Sequence, residues 1–364
     1  LNNKEVFQYF DFSLPCWNQA MVKNTTINGR LHYIAGDINL SMFDLAMVIW
    51  YNKTLYDAKR EEGDPDNIQV HALEGNWTYQ DLYIWASRLY ENSNGVEGKQ
   101  ADDTYGYAEG PANVNTQPVP KDSMAAAFDI DLLLENPDGT HSYNILGNER
   151  AANARTMWIN LHEATGTWDD GGSVNNFAAG HYVFWTGAIC SSEETNNAIR
   201  EMEDKYDLLP WPKYEVTQEN YGTTSQDYYT LMTVLDHEDS TIRTNGDEVS
   251  AYLQLSSEES YLNVRGYYFN RIIKPKYFGT DDSEASANRA RKRIAIFETI
   301  IDNIEFDYWT VYSPQLNNFA WFWRDTVGDG DGAISLISSY ARDERLYEQM
   351  IYETDAWLGL NPKK

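Results

Sequence analysis

The chain contains 364 residues, 42% of them hydrophobic and 14% aromatic, which is enough for two domains with well-buried cores. Its formal net charge is -28 at pH 7, because 56 Asp and Glu outnumber 28 Lys and Arg. Nucleic acid is disfavoured as a partner, since phosphates require a surplus of cations. No apolar stretch approaches the roughly 18 residues of a membrane span. Leu1 begins neither a signal peptide nor a lipidation motif, which predicts a processed or truncated chain.

The cysteines and the short acidic motifs predict no cofactor and no metal centre. Cys16 and Cys190 are too far apart in sequence for a zinc site or a redox pair, so two thiols or one long-range disulfide are the alternatives. Asp329 and Asp331 flank a glycine without the rest of an EF-hand loop, which predicts a turn. The sequence contains no HExxH, GxSxG or Walker motif and therefore offers no catalytic constellation.

Strand and helix patterns alternate along the chain. The apolar run from 45 to 50 predicts a buried strand. Thr78 and Asp81 form a capping box before an amphipathic helix. Residues 91–123 are polar with Gly and Pro, which predicts a surface loop, whereas apolar residues at helical spacing predict helices over 151–165 and 294–301. This alternation favours an α/β architecture.

The stretch 177–221 is the most informative part of the sequence. Gly180 leads into HYVFWTGAI, a β-branched and aromatic run that predicts a buried strand. Ser191 and Glu194 form a second capping box, which predicts a helix as far as about residue 206. The next three residues predict a short strand that Pro210 ends.

This order of strand, helix, strand and Pro-x-Pro turn resembles a segment of the extracellular solute-binding proteins of ABC importers, family 1. Further segments are similar to motifs of the same family, occur in the same order and together cover nearly the whole chain. They are GRLHYIAGDINLS at 29–41, IWYNK at 49–53, GNWT at 75–78, the Glu-Ser-Tyr helix pair at 257–277, FDYWTVYS at 306–313 and the aromatic run 313–323, which resembles the C-terminal helix of maltose-binding proteins.

The resemblance implies an α/β, periplasmic-binding-protein-like type II fold with two lobes, a hinge and an interlobe cleft. Residues 1–47 and 224–303 would form lobe 1, and residues 48–223 and 304–364 would form lobe 2. The lobes are unequal, and members of the family carry further residues, including the first strands of lobe 1, ahead of the position of Leu1. We therefore expect lobe 1 to lack these strands and to expose a sheet edge.

The resemblance also implies a function. The protein would be the solute-binding component of an ABC importer, extracellular and either secreted or lipid-anchored at the outer face of the cytoplasmic membrane. It would capture a carbohydrate, preferably an oligosaccharide, and deliver it to the transmembrane permease without catalysis. A saccharide site combines carboxylates with flat aromatic platforms, and the chain has 12 Trp and 26 Tyr.

Five residues are carried over by the resemblance as ligand contacts: Trp17, Asp37, Asp44, Trp185 and Trp321. A structural role is the alternative for each of them. Asp37 would then cap a turn, Asp44 would be a solvated loop residue, and Trp185 would be a core aromatic. A shift of one residue in the alignment would displace Trp321, and Trp17 lacks the aromatic neighbour expected before it.

A glycoside hydrolase is the rival hypothesis from another class, because 56 acidic residues can include a catalytic pair. It requires two carboxyl groups at roughly 5 to 10 Å across the cleft, one of them with a raised pKa. A binding or scaffold module that has lost transport is the third hypothesis.

Overall fold

A computed structural model describes residues 1–109, 119–169, 171–192, 198–225, 229–234, 245–273, 284–328 and 335–360. The strands are β1 (Thr26–Ile27), β2 (Arg30–Leu31), β3 (Met47–Asn52), β4 (Tyr90–Glu91), β5 (Thr104–Glu109), β6 (Leu133–Glu135), β7 (His141–Tyr143), β8 (Thr167–Trp168), β9 (Tyr182–Ala188) and β10 (Tyr206–Leu209). The helices are α1 (Gln19–Asn24), α2 (Leu40–Asp44), α3 (Lys53–Lys59), α4 (Ile68–Leu73), α5 (Tyr79–Arg88), α6 (Val119–Ala127), α7 (Glu149–Glu163), α8 (Val174–Ala178), α9 (Ala198–Glu201), α10 (Gly246–Glu259), α11 (Arg265–Ile273), α12 (Glu284–Asp302), α13 (Tyr308–Val311), α14 (Phe319–Gly328) and α15 (Leu336–Trp357). A 3-10 turn spans Ile189–Ser192, and a π-helical turn at Ser260–Val264 joins α10 to α11.

A six-stranded mixed sheet forms the largest core. Its order is β10-β3-β9-β5-β4, with β8 also paired to β5. β3 is antiparallel to β9 and to β10, whereas β9 and β5 run parallel. Every residue of β3 and β9 is buried, because helices cover both faces, and this explains their unbroken apolar sequences. The strands predicted after 45 and after Gly180 are confirmed.

The loop predicted over 91–123 is wrong over 104–109 and over 119–123, whereas residues 110–118 lie outside the described part of the chain. The predicted loop contains β5, a sheet-centre strand in which Tyr105 and Tyr107 are buried, and α6 begins at Val119. The glycine between the two tyrosines looks like a turn signal in the sequence. In the structure Gly106 is a packing residue, since a Cβ there would lie 2.0 Å from the carbonyl oxygen of Trp85.

The helix predicted from 191 to about 206 is wrong in extent. The chain forms the 3-10 turn after β9, in which the Ser192 hydroxyl donates to the carbonyl of Ile189 at 3.2 Å. Helix α9 ends at Glu201, well before β10 begins at Tyr206, and residues 193–197 lie outside the described part of the chain. Glu194, the second half of the predicted capping box, and the Asp329–Asp331 motif lie outside the described residues. The other capping box is confirmed, because the Thr78 N–H donates to Asp81 at 2.8 Å.

Three chain segments meet where the lobe boundaries are predicted. The N–H of Met47 donates to the carbonyl of Thr224 at 3.0 Å. The N–H of Thr223 donates to Asn303 at 3.1 Å, and Glu305 donates back to Thr223 at 2.8 Å. These hydrogen bonds join the chain segments at 46–47, 223–225 and 303–305 side by side. The lobe boundaries themselves stay a prediction.

Three features are absent from the part of the chain that the structure describes. No helix there combines the length and apolar composition that a membrane crossing needs. No group of three or more His, Cys, Asp or Glu side chains is arranged to hold a metal ion. Cys16 and Cys190 form no disulfide, so of the two alternatives the structure has the thiols.

The substitution Gly106→Ala is expected to destabilise the protein by about 3 kcal/mol, because the new methyl group would collide with backbone that cannot move aside. Gly266→Ala is the matched control, since a Cβ at Gly266 in α11 meets nothing within 4 Å. That change should stabilise the protein by about 0.5 kcal/mol through helix propensity. Urea unfolding of both variants measures the difference, and equal midpoints would contradict the packing role of Gly106.

Candidate functional site

Asp37 is a buried carboxylate with one oxygen left open. Its N–H donates to the carbonyl of Cys16 at 2.9 Å, and the residue is 5% exposed. Its Oδ2 makes no hydrogen bond with any residue that the structure describes. Nη1 of Arg265 lies 3.8 Å from this oxygen, which is within reach of charge attraction but beyond hydrogen-bond distance.

The surroundings of Asp37 disfavour its charge. Burial raises the pKa of Asp37 to about 7, although the positive charge of Arg265 opposes this shift, and the carboxylate of Asp302 adds to it. A donor that reached Oδ2 would stabilise the charged form, because it would replace the water that burial removes. Asp37 is therefore a candidate acceptor for a ligand hydroxyl.

Arg265, at the start of α11, is held beside Asp37 by aromatic rings. Its guanidinium carbon lies 5.9 Å from the ring centroid of Phe43 and 5.4 Å from that of Tyr261, and Nη2 donates to Asp302. Both ring distances are in the range of cation–π attraction. These contacts hold the guanidinium close to the open carboxylate oxygen of Asp37.

Asp44 joins the same group through Tyr268. The Tyr268 hydroxyl donates to Oδ1 of Asp44, and its ring centroid lies 6.4 Å from that of Phe43. Arg265 and Tyr268 are one turn apart on α11, so the helix presents one partner to each carboxylate. The Asp37 cluster, as we call it, consists of Asp37, Phe43, Asp44, Arg265 and Tyr268.

A second polar group lies at the end of β5. Nε2 of His162 hydrogen-bonds the Glu109 carboxylate, and its Nδ1 lies 2.8 Å from the carbonyl of Trp158. The imidazole also stacks on Trp158 with centroids 4.3 Å apart, and Nζ of Lys121 lies 5.8 Å from the same indole. We call these four residues the His162 cluster.

Both ring nitrogens of His162 face acceptors, which favours the imidazolium form. Burial lowers the pKa of His162, but the charge and hydrogen bond of Glu109, with the carbonyl of Trp158, raise it by more, so that it lies above the ordinary value. Burial also lowers the pKa of Lys121, against the negative charge of Glu109. The cluster therefore holds fixed charges of both signs around one indole.

The three predicted tryptophans occupy different environments. Trp17 is 1% exposed, and its indole N–H donates to Gln254 at 3.1 Å. Trp185 is 3% exposed and donates to a backbone carbonyl at 3.0 Å. Both rings lie in the core in this conformation. For Trp185 this is the structural alternative given above, in which it is a core aromatic. Trp321 is 43% exposed, with the Arg324 guanidinium carbon 5.3 Å from its ring centroid. Ligand contact stays a prediction for all three.

Sequence reasoning missed Arg265, Tyr268 and the His162 cluster. Arg265 carried a usable signal, because it is a lone charge in the otherwise uncharged run 260–270. The pairing of Glu109 with His162 had none, since 53 positions separate them and only the packing of α7 beside β5 joins them.

Solved structures with the same fold are sugar-binding proteins of low sequence identity. One is a cyclic alpha-maltosyl-1,6-maltose binding protein from Arthrobacter globiformis, with a TM-score of 0.56, 13% identity and coverage of 96% of this chain and 81% of that one. The maltose/maltodextrin-binding domain MalE from Bdellovibrio bacteriovorus, bound to maltotriose, has a TM-score of 0.53, 14% identity and coverage of 96% and 79%. The GacH receptor of Streptomyces glaucescens has a TM-score of 0.56, 13% identity and coverage of 96% and 78%.

These matches confirm the predicted α/β, periplasmic-binding-protein-like type II fold. No family model and no curated protein matches the sequence. At identities of 13 and 14% the likeness establishes the fold alone.

The substitution Asp37→Asn should flatten the dependence of stability on pH. The pKa of Asp37 is about 7 in the folded protein and lower in the unfolded chain. The native state therefore binds this proton more tightly, and the free energy of unfolding of the wild type falls as pH rises from about 4 to 7. Asn does not titrate, so the variant does not lose this stability. Relative to its value at about pH 4, the free energy of unfolding of the variant should exceed that of the wild type by up to about 4 kcal/mol at pH 8.

Urea unfolding at about pH 4, 6 and 8 measures this gain. Asp57→Asn is the control, because it removes an exposed carboxylate that pairs with Lys53 on the helix surface. Because the pair is exposed, its loss should change the free energy of unfolding by less than about 1 kcal/mol at each pH. If the free energy of unfolding of Asp37→Asn depends on pH in the same way as that of the wild type, the raised pKa of Asp37 is contradicted.

The substitution Glu109→Gln should lower the pKa of His162. Burial already opposes the imidazolium, and Glu109 supplies the charge and hydrogen bond that outweigh it. NMR titration of the imidazole should show a lower pKa for His162 in the variant than in the wild type. The five other histidines are internal references, and an unchanged His162 titration would refute the assignment.

Proposed function

We propose that the protein is the solute-binding component of an ABC importer and captures a carbohydrate, preferably an oligosaccharide. The observation that carries this proposal is the buried Asp37 carboxylate, whose Oδ2 has no hydrogen-bond partner among the described residues and lies beside Arg265. Saccharide hydroxyls donate to such oxygens in charge-assisted hydrogen bonds. The neighbours are described as binding cyclic maltosyl-maltose, maltotriose and acarbose, which supports a sugar as the solute.

The two polar clusters fall on opposite sides of the predicted lobe boundaries. The Asp37 cluster belongs to residues 1–47 and 224–303, and the His162 cluster, like Trp321, belongs to residues 48–223 and 304–364. This distribution suits a cleft in which each lobe supplies part of the site. In the proposed set of Trp17, Asp37, Asp44, Trp185 and Trp321, Asp37 has a buried oxygen without a hydrogen-bond partner among the described residues, and Trp321 has exposed ring surface.

Lobe closure would couple binding to transport. A ligand shifts an open–closed equilibrium only when it binds the closed state better, and donors from both lobes on one saccharide meet that condition. The permease would then recognise the closed form. The proposed protein acts outside the cell, secreted or lipid-anchored at the outer face of the cytoplasmic membrane, and binds its solute without catalysis.

We further propose membership of solute-binding family 1 and a lobe 1 completed by first strands that this sequence does not contain. The matches cover 96% of this chain but only 78–81% of the solved structures, and this difference supports the proposal that lobe 1 is completed by further strands. Exposed apolar side chains on α10 and on the π-helical turn, Tyr252, Leu255 and Leu262, support it as well.

A thermal-shift screen against mono- and oligosaccharides, with amino acids and short peptides as controls, tests the proposal. A saccharide at about 100 times its Kd should stabilise the protein by about 2.7 kcal/mol and raise Tm by roughly 5 °C. Asp37→Ala should abolish the rise, because it removes the proposed acceptor. Asp57→Asn, the exposed control, should retain it.

Product analysis of any hit separates the rival hypothesis. An intact saccharide after incubation supports the importer component, whereas cleavage would establish a glycoside hydrolase instead. A shift with amino acids or peptides and none with sugars would refute the carbohydrate assignment. A sugar-induced shift that survives Asp37→Ala would move the site away from the Asp37 cluster.

A further inference from the structure

We propose that Asn39 is a second ligand contact beside Asp37, and that the two side chains accept hydrogen bonds from two neighbouring hydroxyls of one saccharide. This role of Asn39 rests on the proposed function, because it specifies how the site at Asp37 recognises its solute. Asn39 belongs neither to the residues carried over by resemblance nor to the Asp37 cluster.

The turn from Gly36 to Asn39, which we call the Asn39 turn, is held between two neighbouring chain segments. The N–H of Asn39 donates to the carbonyl of Gly36 at 2.8 Å and closes the turn. On one side the N–H of Asp37 donates to the carbonyl of Cys16 at 2.9 Å, and a Cβ at Gly36 would lie only 2.3 Å from the same oxygen. On the other side Nδ2 of Asn39 donates to the carbonyl of Thr230 at 2.9 Å. The backbone of the Asn39 turn is therefore fixed.

The side-chain amide of Asn39 has a defined orientation and one open oxygen. Its bond to the carbonyl of Thr230 requires a donor, so this end of the amide is the nitrogen. The other end, Oδ1, is buried and makes no hydrogen bond within the described part of the chain. An amide does not titrate, and Oδ1 is therefore an acceptor at any pH.

Oδ1 of Asn39 does not serve the helix that follows it. Asn39 directly precedes α2, where an asparagine oxygen normally accepts from an N–H of the first helical turn, but its side chain makes no such bond. Five other asparagines precede described helices, and each of them accepts an N–H of its helix: Asn18, Asn52, Asn67, Asn148 and Asn245. Asn39 thus lacks the structural role that its position would explain.

Asp37 supplies the same kind of atom two positions earlier. Asp37 and Asn39 are 5% and 6% exposed, and theirs are the carboxylate and amide oxygens among the buried side-chain atoms without a hydrogen bond in the described residues. Buried acceptors without a donor are rare, and two in one turn indicate a missing partner with two donors. Their Cα atoms are at most about 7 Å apart along the chain, and Leu40, the next residue, is 38% exposed. One small ligand at the surface can therefore reach both.

The charges around the Asn39 turn favour a neutral donor. Nη1 of Arg265 lies 3.8 Å from Oδ2 of Asp37, so the guanidinium would repel a cationic ligand at this oxygen. An anionic ligand would meet two acceptor oxygens and gain no hydrogen bond from them. Hydroxyl groups are neutral donors, and neighbouring hydroxyls of a saccharide supply two of them on one rigid ring. A pair of such hydroxyls therefore matches Asp37 and Asn39.

Isothermal titration of the full chain with maltotriose, cellotriose and xylotriose tests this role of Asn39. All three carry neighbouring hydroxyls, and the wild type should bind at least one of them saturably. Asn39→Ala should weaken that binding about fivefold, because it removes one hydrogen bond between neutral groups. The urea midpoint of the variant should stay close to that of the wild type, since the substitution also removes an unsatisfied buried oxygen.

Ser41→Ala is the matched control, because the N–H of Thr230 donates to the Ser41 hydroxyl at 3.2 Å. It removes a side-chain hydrogen bond between the same two segments and leaves Oδ1 of Asn39 in place, so trisaccharide affinity should be unchanged. Equal weakening by both variants would show that Asn39 only holds the segment at Thr230, and would overturn the second contact. Full affinity of Asn39→Ala would overturn it too and would assign Oδ1 to a buried water.

The second contact and the proposed function fail in different ways. Trisaccharide binding that does not depend on Asn39 overturns the second contact and leaves capture of a carbohydrate in place. Absence of binding for all three trisaccharides also overturns the second contact. The carbohydrate function itself is contradicted only when the wider thermal-shift screen finds no sugar either.

Discussion

The antiparallel pairing of β3 with β9 is the constraint on which the rest of the structure depends. Met47 pairs with Ala188, and the N–H of Ile189 donates to the carbonyl of Ala46 at 3.0 Å. The ladder of hydrogen bonds between β3 and β9 therefore extends to the residues that bond Thr224. β5 lies parallel beside β9 and brings Glu109 to the end of the same sheet. Without this pair neither the hydrogen bond from Met47 to Thr224 nor the position of the His162 cluster would be defined.

The buried carboxylates of this protein differ in whether their oxygens have hydrogen-bond partners. Asp122 and Arg324 are both buried and form a bidentate pair, in which each charge has its partner. Breaking such a pair is costly, because the remaining partner would be an uncompensated buried charge. Asp37 differs, because its partner Arg265 stops 3.8 Å away and one oxygen is unbonded within the described residues. A buried carboxylate oxygen without a hydrogen bond costs free energy, and a hydrogen bond from a ligand would remove that cost.

A resemblance in sequence indicates where a residue lies along the chain, but it does not indicate which neighbours surround its side chain. The carboxylates Asp37 and Asp44 were predicted as ligand contacts because they flank recognisable segments of the chain. The structure places both beside α11, and their contact with a ligand stays a prediction. The indoles of Trp17 and Trp185 are in the core, because the direction of a side chain depends on which neighbours cover each face of its strand or loop. The missed strand β5 has the same cause, since the packing of Gly106 against α5 cannot be distinguished from a turn in the sequence.

The sequence by itself determined the α/β class, the two central strands, the Thr78 capping box and the overall fold, because these follow from local periodicity, local hydrogen bonding and ordered motifs. Tertiary structure alone decided which polar groups meet. Glu109 and His162, Asp37 and Arg265, and His141 and Asp355 are each brought together from distant positions. The energies of these pairs depend on burial and distance, and neither quantity is written in the spacing of residues along a chain.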